Sequence, residues 1–165
     1  MADRKGPSIR RIVTGHDDTG KAVVWIDAPA TNHKFSDEKV SSTLMWVTGE
    51  TPADFTGAED AGERIVGTPP PAGGTRFTVL EIQPGNTLHG LHRTDTIDYV
   101  ICVSGELDMQ LDDSTVTLRA GDIMIQRGTH HGWINRGKEA ARIAVVLVDG
   151  KPKRSGSVAG TQNAR

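Results

Sequence analysis

The sequence predicts an all-β protein, built as an antiparallel sandwich or closed barrel. Short runs of β-branched and apolar residues recur along the chain, separated by turn-like breaks. Nineteen glycines and eight prolines among 165 residues supply those breaks, and clusters of such residues end one strand and start the next. No stretch sustains the 3.6-residue apolar period of an amphipathic helix. Many short strands joined by tight turns are the pattern of sheets that close on themselves.

Residues 8–14 (SIRRIVT) and 21–27 (KAVVWID) flank an Asp- and Gly-containing stretch at 15–20, which reads as a hairpin. Residues 28–39 are polar and irregular, and 41–48 (SSTLMWVT) supply a third strand. Residues 49–74 are rich in Pro, Gly and acidic residues; a long loop is expected there, with a turn of helix near 52–55. From residue 75 the strands come quickly, at 75–83, 97–104, 106–111, 115–118, 123–126, 132–135 and 141–149. The expected organisation is N-terminal strands and a loop over 1–74, a barrel core over 75–150 and a flexible basic tail over 151–165. No internal repeat is visible, so one barrel is expected.

Composition narrows the function classes. Hydrophobic residues make up 36% and charged residues 24% of the chain, as in ordinary soluble domains. The apolar runs, such as 143–148, are too short to cross a bilayer, and no secretory signal is readable at the N-terminus. The single cysteine excludes an internal disulfide framework, and a cytoplasmic location is expected. Net charge is −2. Residues 151–165 carry four basic residues and no acid, which leaves 15 basic against 21 acidic residues, or −6, over 1–150. An acidic body is a poor match for a nucleic-acid backbone. A small-molecule substrate is expected, with no nucleic acid and no membrane. The N-terminal strands exceed what one small barrel needs, so they are expected to extend a partner's sheet in a homodimer.

Four of the six histidines lie in two stretches, 84–105 (PGNTLHGLHRTDTIDYVICVSG) and 121–135 (GDIMIQRGTHHGWIN). Alternate side chains of a strand share a face. Asp98, Val100 and Cys102 therefore share one, as do His131, Trp133 and Asn135, while His130 points the other way. With Val100 and Cys102 in the interior, Asp98 and His131 also face inward. A buried carboxylate and imidazole are costly unless paired or bound to a metal, and they are common ligands of iron, manganese, zinc, nickel and copper.

The two stretches resemble the paired motifs of the cupin superfamily. The first supplies Gly85, His92, Asp98 and Gly105. The second supplies Gly121, His131 and Asn135, with 126–129 at the turn that precedes the histidine. Two departures stand out: HGLH (His89, His92) replaces a His-x-His pair, and Asp98 replaces a glutamate. The resemblance implies a jelly-roll-like antiparallel β-barrel with additional N-terminal strands. It also implies a divalent transition metal held by His92, Asp98 and His131, with His89 or water completing the set. His92 and Asp98 are the expected catalytic residues, and Arg93, Thr94, Gln126 and Trp133 the expected substrate pocket. Similar small cupins include dioxygenases, isomerases and lyases, so a metal-dependent enzyme on a small oxygenated substrate is expected. Two alternatives stay open: a non-catalytic binding or sensor module, and a metal-free epimerase or dehydratase using a His92–Asp98 dyad.

Overall fold

A computed structural model describes residues 6–152; the basic stretch expected to be flexible lies almost wholly outside the described residues. Eleven strands are described: β1 (Arg10–His16), β2 (Ala22–Pro29), β3 (His33–Phe35), β4 (Val40–Thr48), β5 (Thr75–Ile82), β6 (Thr96–Ser104), β7 (Glu106–Gln110), β8 (Thr115–Arg119), β9 (Ile123–Arg127), β10 (Gly132–Ile134) and β11 (Ala141–Asp149). They form a six-stranded sheet of order β3-β4-β5-β11-β6-β9, a three-stranded sheet of order β10-β7-β8, and the separate hairpin β1-β2. Every pairing between these strands is antiparallel.

Alternation in the sequence decides which side of each strand is buried. In β6, Thr96, Asp98, Val100 and Cys102 are buried while Ile97, Tyr99, Ile101 and Val103 are exposed. β11 repeats the pattern with Ala141, Ile143, Val145 and Leu147 inward. These side chains meet Leu107, Met109 and Leu118 of the smaller sheet and Ile82 of β5 to form the main core. Gly105 makes the β6–β7 turn at φ +75; a Cβ there would sit 2.9 Å from the Ala140 carbonyl oxygen, so no other residue fits comfortably.

The N-terminal stretch does two things. β3 and β4 join the large sheet, and β3 (HKF) forms inside the segment that reads as irregular. Ile9 and Ala30 pack on Met45, Val79 and Ala144, covering the outer side of β4 and β5. Arg11, almost wholly buried, anchors this strap by donating to both Asp60 carboxylate oxygens and to the Met45 carbonyl. Asp60 also caps a single 3₁₀ turn at Ala61–Glu63. The helical turn forms there rather than at 52–55, with the Asp60 carboxylate accepting from Gly62 N at its start.

Two asparagines close the barrel. Asn135, fully buried, donates from Nδ2 to the carbonyls of Ile82 and Glu139, and its Oδ1 accepts from Gly137 N. Asn86 accepts from Asn135 N and donates to the Trp133 carbonyl, while Gly85 N donates to the Asn135 carbonyl. Gly85 and Asn135 are thus structural: they clasp the two histidine stretches together.

The candidate site at the mouth of the barrel

The chain between β5 and β6 descends onto the start of β10. Gly132 permits this, since a Cβ there would lie 2.2 Å from Leu88 Cδ1. His92 and His131 then exchange both backbone hydrogen bonds at 2.9 Å, an isolated antiparallel rung. That rung sets the two imidazoles 4.4 Å apart between ring centroids, tilted by 52°. Trp133 meets His131 edge-on at 6.0 Å. Asp98 enters from β6, its cross-strand partner on β9 being Gln126.

His131 is 5% exposed. Its Nδ1 lies 3.0 Å from the Thr129 carbonyl oxygen, which can only accept, so Nδ1 carries the proton of the neutral ring. Nε2 is then left with a free lone pair. Burial holds the His131 pKa below its usual value; the Thr129 carbonyl opposes this, and the charges of His92 and His130 add to it. The ring is therefore a base that stays neutral to lower pH than a solvated histidine.

Asp98 is the mirror case. It is 3% exposed, and burial raises its carboxyl above the usual range, against the pull of the Thr96 hydroxyl and the charge of His92. Its Oδ1 has no hydrogen-bond partner, and neither has Nε2 of Gln126, also 3% exposed. Unpartnered buried polar atoms are uncommon and costly. Here an acceptor and a donor stand side by side on the inner wall. Thr129, whose carbonyl sets the His131 tautomer, was not among the expected site residues; Thr96 shares Asp98's face by simple alternation.

The structure brings His92, Asp98, His131, Gln126 and Trp133 to one end of the barrel, and leaves others outside. His89 is a correction: its side chain is 72% exposed, with Nε2 3.2 Å from Asp37 Oδ2. The chain between Gly90 and His92 does not turn it inward. Arg93 is bound to Asp95, and the Thr94 hydroxyl to that of Thr96 at 2.7 Å, so this loop is occupied with itself. His130 is exposed, 3.5 Å from Asp112. Trp46 packs edge-on against Trp25. Cys102 is buried, and burial raises its thiol pKa, as for a small core residue.

Asp98 Oδ1, His131 Nε2 and the His92 ring are donor types that a divalent transition metal takes. Among the described residues, however, no three His, Cys, Asp or Glu side chains converge as a ligand set, and no hydrogen bond joins His92 to Asp98. The arrangement is a base and a raised-pKa acid on neighbouring walls of one interior. Among the described residues, no helix is long and apolar enough to cross a membrane.

Comparison with known proteins agrees with this architecture. Residues 78–148 match the Cupin domain family model. The chain is 31% identical to Phomopsin biosynthesis cluster protein C' of Diaporthe leptostromiformis, over 91% of this chain and 85% of that protein. It is 32% identical to the cupin-domain-containing oxidoreductase srdD of Neurospora crassa (88% and 79% covered) and 30% identical to the cupin-domain-containing oxidoreductase virC of Hypocrea virens (88% and 80%). Among solved structures, an uncharacterized Klebsiella pneumoniae protein with a double-stranded β-helix domain superposes with a TM-score of 0.50 at 19% identity, covering 72% of this chain and 84% of that one. With both histidine stretches clasped across the mouth of a jelly-roll barrel, and with these relatives matching nearly its whole length, the chain belongs to the cupin family.

Proposed function

We propose that the chain is a small cupin enzyme that moves a proton to and from carbon on a small oxygenated molecule held in the barrel mouth. The observation that carries this is the opposed tuning of two buried groups: His131 with its Nε2 lone pair free, and Asp98 with a raised carboxyl pKa and an unpartnered oxygen. A neutral imidazole can take the proton from a carbon beside a carbonyl. Burial favours the protonated form of the Asp98 carboxyl, and in that form it can donate, with the Gln126 amide beside it, to the oxygen where charge develops. Returning the proton to either face, to a neighbouring atom, or with loss of a leaving group gives epimerisation, isomerisation or dehydration. The His92 ring against His131 orients it and disfavours its protonation. Two fungal relatives named as cupin-domain-containing oxidoreductases support an enzyme on this scaffold, though not this reaction class.

A divalent metal is the second reading, favoured by the orphaned Asp98 oxygen. Held by His92, Asp98 and His131, an ion would act as a Lewis acid on a substrate oxygen.

Small keto and hydroxy compounds incubated with the protein in deuterated water test the proposal by NMR. Deuterium should enter beside the carbonyl of an accepted compound, and His131→Gln and Asp98→Asn should each abolish it. Exchange that survives both substitutions overturns the assignment.

A further inference from the structure

A second cluster, on the same inner wall, has no role in the proton-transfer site. Arg76 on β5 is 7% exposed. Its Nη2 donates to Ser42 Oγ at 3.1 Å, and its Nε has no partner. No described carboxylate forms an ion pair with it, and burial lowers its pKa. Buried arginines are ordinarily matched by an acid, since stripping water from a lone guanidinium is expensive. Arg11 in the same chain also leaves Nε without a partner, but both oxygens of Asp60 accept from its Nη1 and Nη2; the acid is what Arg76 lacks.

Beside Arg76 lies a cavity of about 230 Å³, lined in part by Lys34, His33, Leu44, Arg64 and Val66, with no Asp or Glu among its lining residues. Arg64 is already held by both oxygens of Glu59. Arg76 and Lys34 are therefore the surplus charge. Lys34 pairs across strands with Ser42, the one side chain that Arg76 touches by a hydrogen bond. Apolar Leu44 and Val66 beside this charge suit an organic anion better than a bare inorganic one.

We propose that this cavity is a carboxylate-binding subsite, with Arg76 as its anchor and a small organic acid as its occupant. A carboxylate is planar and matches the guanidinium fork, supplying the acceptor that Nε lacks. Cross-strand pairing connects the subsite to the mouth of the barrel: Arg76 is opposite Leu147, Leu147 opposite Asp98, and Asp98 opposite Gln126. Two strand spacings separate Arg76 from Asp98, about 10 Å along the wall. Asp98 and His131 do not line this cavity, and the buried Leu147 stands between Arg76 and Asp98 on the wall. The binding therefore stands apart from the proton-transfer reading.

Isothermal titration of the full chain with succinate, its neutral analogue succinamide and inorganic phosphate tests the subsite. Succinate should bind saturably, succinamide should not, and phosphate should bind more weakly than succinate. Arg76→Met should abolish succinate binding while the apo protein melts at the same temperature or higher, because a structural arginine would lower it. Arg76→Lys keeps the charge but not the fork, and should weaken binding at least about tenfold; it serves if the methionine variant does not fold. His131→Gln should bind succinate as the wild type does. Absence of saturable succinate binding overturns the proposal, as do succinamide binding equally well, phosphate binding in preference, or full affinity in the Arg76 variants. Succinate binding that depends on Arg76 in a protein that exchanges no carbon-bound proton leaves the subsite standing and overturns the proton-transfer reading.

Discussion

Replacing Asp98 with asparagine should make the protein more stable and less able to do chemistry, and the gain should depend on pH in a defined way. Asparagine keeps the shape and one acceptor but cannot ionise. The folded-state pKa of Asp98 is raised above its ordinary value of 3.8 by burial. The folded state therefore holds its proton over an interval where the unfolded chain has lost it. Stability falls as pH rises from 3.8 through the folded pKa, and above that the full penalty persists. With one carboxylate oxygen unpartnered, the penalty is roughly 1–3 kcal/mol. In a domain of this size each kcal/mol moves the melting temperature by about 2–4 °C. Asp98→Asn should thus melt about 2–12 °C above the wild type near pH 8, with the gap closing as pH approaches 4. Calorimetry or circular dichroism across that range reads it directly. A variant that melts lower at every pH, or a gap of constant size, would refute the reading of Asp98 as an uncompensated buried acid.

His131 should show the opposite slope. Its folded pKa lies below the ordinary value of 6.5, so stability attributable to it is intact above 6.5 and lost as pH falls below. Nitrogen-15 NMR should find its neutral ring with the proton on Nδ1; a proton on Nε2 would break the base assignment. Asn135→Ala removes three hydrogen bonds to backbone groups, the one to Ile82 wholly buried, and should cost about 3 kcal/mol, read as a lower denaturant midpoint, whereas the exposed His130→Ala should cost almost nothing. The outer face of β6 and β9 exposes Ile97, Tyr99, Ile101, Val103, Ile123 and Ile125, and the separate β1-β2 hairpin exposes Ile12, Val24 and Trp25. We propose that the hairpin of a second copy covers that face. Light scattering should report a dimer that Ile101→Lys converts to monomer, and a monomeric wild type counts against it.

Much of this fold was legible because β-strands declare themselves over short distances. DYVICVS and ARIAVVLVD alternate cleanly, and their faces follow from period two alone. Asp98 and His131 were readable for the same reason, as members of those alternations. His89 was misplaced because it sits in an irregular stretch, where sequence spacing does not fix direction, and Asp37, 52 residues away, captured it. β3 was missed because three polar-flanked residues carry no periodic signal; they are a strand only because β4 lies beside them. Arg76 shows the reverse case. In TRFTVLEI it alternates with Thr78, Leu80 and Ile82, so its inward direction was readable. What the alternation did not carry was the missing acid, which depends on every other element around it.

The clasp of Asn86 and Asn135 bears on the order in which the molecule assembles. Its partners are 49 residues apart, and the Asn135 bond to Ile82 spans 53. Bonds of that range form only after a large loop has closed, with entropy lost before any contact repays it. Strands β6 to β9, joined by short turns, can pair while the clasp is still open. During synthesis the chain therefore carries Asp98 on a growing sheet with nothing facing it, and His131 comes opposite only when the last quarter of the sequence arrives. A site assembled in this order has no complete intermediate: chains ending before residue 135 would lack the clasp that holds the two histidine stretches together.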